Sequence, residues 1–188
     1  MTLVLVVLAV GFGIVLILAL WFVGTYNGLV RKRNEVRNAW AQIDVQLKRR
    51  HDLIPNLVET VKGYAAHERE TLDSVVQARA RAVAAQGVGE RAQAERELGG
   101  ALGRLMLVVE QYPDLKANQN FLALQEELTS TENKIGFARQ YYNDSVMKYN
   151  TRIQSVPTNL VAAMCNFRPE DFFELEDQAE REVPQVKF

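Results

Sequence analysis

Every position from Leu3 to Val23 is apolar or glycine, and no charged side chain appears before Arg31. As a helix this run of about 21 residues is roughly 32 Å long, which matches the hydrocarbon core of a bilayer. The pattern predicts one membrane-spanning anchor within residues 1–25. Beyond it, Leu29, Val36, Ala39, Trp40, Ile43 and Leu47 make an apolar face at helical spacing, so the anchor is expected to continue into water as one long helix.

A second helix is expected to begin near Asp52, whose carboxylate can cap free amides, with Pro55 in the first turn. Leu57, Val58, Val61, Tyr64, Ala65, Leu72, Val75 and Val76 supply its apolar face, and the segment Gly87 to Glu90 breaks it. A third helix, from about Glu90 to Glu110, has Leu98, Ala101, Leu102, Leu105, Met106 and Val109 as its core positions and ends before Tyr112-Pro113. Pro113 and Asp114 mark the turn into a long fourth helix. Along that helix Phe121, Leu124, Leu128, Thr131, Ile135, Ala138, Tyr142, Ser145 and Tyr149 alternate at three and four residues, the seam of left-handed bundle packing. Val156-Pro157 ends it, leaving a short helix and a tail with Phe167, Phe172, Phe173 and Phe188. The expected fold is all-α: one N-terminal transmembrane helix running into an antiparallel up-and-down bundle of about four helices. Its expected divisions are an anchor at 1–25, a helical bundle at 26–166 and an acidic, aromatic tail at 167–188.

Charge adds orientation. A secretory signal has a basic start, a shorter apolar core and a small-residue cleavage site. None of these is found here, so an uncleaved anchor is expected. No cysteine near the run offers a lipidation site, since Cys165 is the one cysteine in the chain. Residues Arg31 to Arg50 hold seven basic residues against two acidic ones, and positive flanks resist translocation. The expected location is the cell inner or plasma membrane, single-pass, with the N-terminus outside and the helical body cytoplasmic. Arg31, Lys32 and Arg33 are the expected membrane-interface residues. Lys48, Arg49 and Arg50 lie about 25 Å further along a straight helix and need other partners, such as the acidic tail. From Arg168 to Phe188 seven acidic residues face three basic ones. The near-neutral whole, with a net charge of −1, gives no footprint for nucleic acid.

Candidate chemistry is thin. His67-Glu68 opens like the H-E-x-x-H zinc motif, but Thr71 stands where the second histidine belongs. His51 and Asp52 are a candidate pair with no third partner indicated. Gly99, Gly100 and Gly103 lack the Lys-Ser or Lys-Thr of a phosphate loop, and close helix approach is their expected use. Cys165 reads as an inert buried thiol. Thr129, Thr131, Glu132 and Asn133, followed by Arg139, Tyr141, Tyr142, Asn143, Tyr149 and Asn150, make a polar stretch read as register-fixing hydrogen bonds. Two histidines and one cysteine make a Cys/His zinc site improbable. No enzyme activity, cofactor, metal or nucleic-acid partner is expected.

Several long strings carry a resemblance. YNGLVRKRNEVRNAWAQIDVQLKRRHDLIPNLVETVKGYAAHE, YPDLKANQNFLALQEELTSTENKI, ARQYYNDSVMKYN, the FFE at Phe172 to Glu174 and the ending PQVKF resemble the LemA family over almost the whole chain. The resemblance implies an anchored, mostly helical up-and-down bundle with a short outer N-terminus and a cytoplasmic body. It implies little about activity, because the family has no established general biochemical function and no agreed catalytic or binding set. Some relatives are associated with shaping magnetosome membranes, and others are encoded beside membrane zinc proteases.

The expected function is therefore a non-enzymatic membrane scaffold or adaptor that organises membrane-protein assemblies. The alternatives are a self-assembling protein that shapes membrane and an accessory subunit of a membrane protease. Expected partners are the lipid bilayer and either further copies of the chain or other membrane proteins, a membrane protease among them. Gly24 and Gly28 form a small-xxx-small pair with Gly13 near the same face, a candidate stripe for helix association.

Overall fold

A computed structural model of the chain describes residues 1–173, and these form helices without a strand. The elements are α1 (Thr2–Lys62), α2 (Arg69–Ala84), α3 (Val88–Val109), α4 (Pro113–Lys116), α5 (Gln119–Gln154) and α6 (Thr158–Met164). The long apolar N-terminal helix and the all-α class expected from the sequence are both present. The chain forms two compact units, one from Met1–Gln42 with Gln140–Glu170, the other from Ile43–Arg139 with the segment from Asp171. Helices α1 and α5 contribute to both.

In the unit that begins at Ile43, five helical stretches contribute to one core. Ile54, Leu57 and Val61 of α1 meet Leu72 and Val75 of α2, Leu98 and Leu105 of α3, Leu115 of α4 and Phe121 of α5. Local signals in the sequence set the helix ends. Gly87 takes a positive φ of 76°, open to glycine without steric cost, and the Glu90 carboxylate reaches back to the Gln86 N–H at 3.0 Å. Pro113 occupies the first turn of α4, where its missing N–H leaves no bond unmade. The Asn118 side chain accepts a hydrogen bond from the Phe121 N–H at 3.1 Å and caps α5. An Arg81–Glu97 ion pair at 3.1 Å joins antiparallel α2 and α3 across their short connection.

The helix expected to start at Asp52 does not. Helix α1 runs unbroken to Lys62 with Pro55 inside it, and the break falls at Gly63–Glu68 instead. A proline in a helix interior removes the bond to the carbonyl four residues back, here that of His51. Arg79 supplies the missing donor: its Nε lies 2.6 Å from the His51 carbonyl oxygen. Two expected core residues, Tyr64 and Val76, are exposed, because the turn at Gly63 resets the helical phase.

In the other unit, α1 up to Gln42 packs with the second half of α5 and with α6. Leu29, Val36 and Ala39 are buried with Tyr142, Val146 and Tyr149, and the Trp40 and Tyr142 rings lie 5.3 Å apart. From Thr131 to Tyr149 the seam positions of α5 are buried, whereas Leu124 and Leu128 are half-buried. Helix α6 ends with Asn166 at a positive φ of 54°. There the Phe167 N–H returns to the Ala162 carbonyl at 3.0 Å, and the Asn166 N–H to that of Ala163 at 3.4 Å. This doubly bonded left-handed ending suits asparagine, and it turns Phe167 inward. The amide of Asn150 then holds the backbone of Glu170 from both sides, accepting from its N–H at 3.0 Å and donating to its carbonyl at 2.9 Å. Phe167 and Phe173, at the head of the expected tail, are buried; the acidic residues from Glu174 onward lie outside the described residues.

Candidate functional site

The first buried position along α1 is Thr25. Every residue before it is exposed or half-buried, and none of the most apolar eighteen-residue stretch is covered by the described residues. This is one helix long and apolar enough to cross a membrane. Immediately after it stand the basic residues Arg31, Lys32 and Arg33. Arg31 is exposed. Lys32 pairs with Glu35 at 2.7 Å, and the Arg33 guanidinium lies 4.9 Å from the centre of the Phe167 ring. Two of the three basic residues expected at the interface thus also make contacts within the fold. Gly13, Gly24 and Gly28 lie on α1 with open space where a β-carbon would stand.

Nearby, the Tyr149 hydroxyl is buried and has no hydrogen-bond partner among the described residues. Burial holds its phenol above the ordinary value of 10, the Glu170 carboxylate adds to the rise, and Arg33 and Arg37 oppose it.

The unit that begins at Ile43 holds a buried charged cluster. Glu95 of α3 accepts from His51 Nε2 at 2.6 Å through one oxygen and lies 3.5 Å from Arg50 Nη1 through the other. Arg50 also reaches Glu132 of α5 at 3.0 Å, and its side chain is only 8% exposed. Around this core Arg49 pairs with Glu127 and Arg91 with Asp44. The cluster ties α1 to α3 and α5, and because each charge has a partner of opposite sign, the desolvation cost of burying it is offset. A cavity of about 210 Å³ opens beside it, lined by Arg50, Glu95, Arg96, Glu132, Arg139 and Phe173 among others. Arginines and carboxylates suit ion pairing and recognition of a charged group. Among the described residues no group of three His, Cys, Asp or Glu side chains converges as a metal site would require.

Several expectations are corrected here. His51 pairs with Glu95 of α3 rather than with its neighbour Asp52. Among the described residues Arg49 pairs with Glu127, and Arg50 with Glu95 and Glu132; the acidic residues from Glu174 onward, the expected tail partner, lie outside the described residues. The glycines of α3 do not admit a neighbouring helix backbone. A β-carbon at Gly99 would meet the Arg50 guanidinium at 3.5 Å, one at Gly100 the Arg104 guanidinium at 3.9 Å, and one at Gly103 nothing. Of the polar stretch on α5, Thr129, Glu132 and Asn133 are exposed; Thr131 is buried and its hydroxyl bonds back to the Glu127 carbonyl at 2.8 Å. Cys165 is half-buried, and His67 is exposed in the turn before α2. The signal for Glu95 was faint but present: it falls one turn before Leu98 and Gly99, on the buried side of α3, where a carboxylate requires a cation.

Fold and site together define an all-helical protein in which one N-terminal helix, apolar and uncovered at its start, runs on into a bundle with a buried charged cluster. The chain belongs to the LemA family, whose sequence profile matches residues 39–188. It is 32% identical to Protein LemA of Metamycoplasma hominis over 143 residues, which cover 75% of this chain and 65% of that protein. It is 26% identical to Magnetosome protein MamQ 2 of Paramagnetospirillum magneticum and 25% identical to Magnetosome protein MamQ of Magnetospirillum gryphiswaldense. Each of these matches covers 79% of this chain and 64% of the relative. The chain thus spans slightly less than two thirds of the length of these relatives.

Proposed function

We propose that this is a non-enzymatic scaffold or adaptor, anchored in the inner or plasma membrane by α1, whose helical body organises membrane-protein assemblies at the cytoplasmic face. The observation that carries the reading is the uncovered apolar start of α1, which continues without a break into the helix that builds the protein's own core. Apolar surface of that extent is stable against lipid and not against water. The basic residues Arg31, Lys32 and Arg33 favour a cytoplasmic body, since such residues are retained on that side. A buried cluster whose charges pair with one another supports a structural role for the bundle.

The test is the mass and composition of the complex extracted with its own lipids at native expression. A stoichiometric second membrane protein supports the adaptor. Loss of activity without loss of folding on substitution of a single polar residue would instead reveal an enzyme. Kinship with proteins named for the magnetosome favours a second reading, self-assembly that shapes membrane, for which a large homo-oligomer is the expected result. In that case Gly13→Ile should reduce its size if the glycine stripe mediates association. For orientation, a membrane-impermeant maleimide applied to intact cells should fail to label a cysteine replacing exposed Asn38 in a Cys165→Ser background.

A further inference from the structure

In the unit that contains the start of α1, three exposed apolar residues beyond the anchor lie close together in the chain. Val156, in the turn before α6, and Leu160 and Met164, one helical turn apart on α6, are 81%, 61% and 77% exposed. The opposite side of α6 is committed to the fold through buried Thr158, Val161 and Ala162. Leu160 and Met164 therefore share a face that the described residues leave uncovered.

The position of that face along α1 follows from contacts within this unit. The ending of α6 delivers Phe167 against Tyr26, with ring centroids 5.7 Å apart and edge to face. Tyr26 stands three residues beyond Val23, the last residue of the apolar run, and roughly 5 Å further along the helix axis. Thr25, the first buried residue of α1, is adjacent. The folded body thus begins where the apolar run ends, and α6 leads directly into the contact that marks this edge. Charge agrees with the placement. From Thr151 to Pro169 the chain carries Arg152 and Arg168 and no acidic residue, and from Trp21 to Arg33 it carries only basic charge. Trp21 and Tyr26, each 39% exposed, are the amphipathic rings that favour the headgroup level.

We propose that α6 is a second membrane contact, lying in the interface beside the anchor with Val156, Leu160 and Met164 in the outer hydrocarbon and Arg152 and Arg168 among anionic headgroups. This rests on the reading of α1 as a membrane anchor. The contact gives the body two points of attachment to the bilayer and so limits its rotation about the anchor axis. An interfacial element needs an apolar face, a basic polar rim and no acidic charge at the surface. The segment has all three.

The experiment uses the full chain in vesicles of phosphatidylcholine with phosphatidylglycerol, in a Cys165→Ser background. Single cysteines replace Leu160, Met164, Ile14 or Asn38 and carry an environment-sensitive fluorophore, and lipids spin-labelled at shallow or deep positions act as quenchers. The expected result is deep quenching at position 14, shallow-lipid quenching at 160 and 164 about twofold or more above that at 38, and blue-shifted emission at both α6 positions. Quenching at 14 with positions 160 and 164 indistinguishable from 38 would overturn the interfacial role of α6 and leave the anchor standing. Absence of quenching at 14 would remove the anchor, and the inference with it. Shielding of 160 and 164 from aqueous iodide without lipid quenching, together with cysteine cross-links between copies, would assign the face to a second copy and overturn the proposal. Both α6 positions are exposed, so labelling should not perturb the fold, and an unchanged helical circular-dichroism signal verifies this for each variant.

Discussion

The Arg79 guanidinium donates to the backbone carbonyl of His51 at 2.6 Å and so replaces the helical hydrogen bond that Pro55 cannot make. A side chain of α2 thereby completes the backbone of α1, and a proline that would ordinarily end a helix is carried inside one. The relationship predicts a coupling. Arg79→Ala should lower the unfolding free energy by about 1–3 kcal/mol, the cost of leaving a poorly solvated carbonyl unpaired. In a Pro55→Ala background, where residue 55 regains its N–H, the same substitution should cost clearly less. A double-mutant cycle by urea unfolding in detergent micelles measures this, and equal costs in both backgrounds would disprove the compensation.

Glu95 answers both Arg50 and His51, whereas Glu132 answers Arg50 from a half-solvated position with its side chain 56% exposed. Glu95→Ala should therefore cost about 2–3 kcal/mol, because it takes the buried partner from the His51 ring and leaves the buried Arg50 guanidinium with only the half-solvated Glu132, while Glu132→Gln should cost about 1 kcal/mol or less. Thermal unfolding of the two variants side by side decides whether burial sets the difference.

Tyr149→Phe should be neutral or stabilising at pH 8, since it removes a buried hydroxyl that has no hydrogen-bond partner among the described residues. The raised phenol also has a pH signature. A group whose folded pKa lies above its unfolded value contributes stability that is fully present below the unfolded value of 10 and is lost as pH rises through the folded one. The wild-type chain should therefore lose stability relative to Tyr149→Phe above pH 10, read as a diverging urea midpoint.

Gly103 is exposed inside α3 and a β-carbon there would meet nothing. Gly103→Ala should raise the unfolding free energy by about 0.5–1 kcal/mol through helix propensity alone. A drop in melting temperature would show that this glycine is needed for a contact outside the described residues.

Much of the architecture was legible because it depends on local pattern. The uncharged apolar start, the three- and four-residue rhythm of Val36, Ala39 and Ile43, the break at Gly87 and the turn at Pro113 each act through nearby backbone and solvent. All recur in the structure. The errors arose where a distant side chain changed a local rule. Pro55 and Asp52 together look like a helix start, and nothing within several residues reveals that Arg79 will supply the missing donor. Polar residues on α5 look interior by their spacing, yet only one face of a helix can be buried at a time, and Glu132 and Asn133 fall off it.

The sequence alone determined that the protein is helical, where its apolar anchor candidate lies and that it belongs to the LemA family. These follow from periodicity, run length and long strings of matching residues, all of which are properties of the chain read in order. Tertiary structure decided the charge partners, the fate of each glycine on α3, and the uncovered face of α6 beside Tyr26. Such outcomes depend on which helices meet at which register. A pairing such as that of His51 with Glu95 is fixed by the summed packing of many side chains, and no local run of residues encodes it.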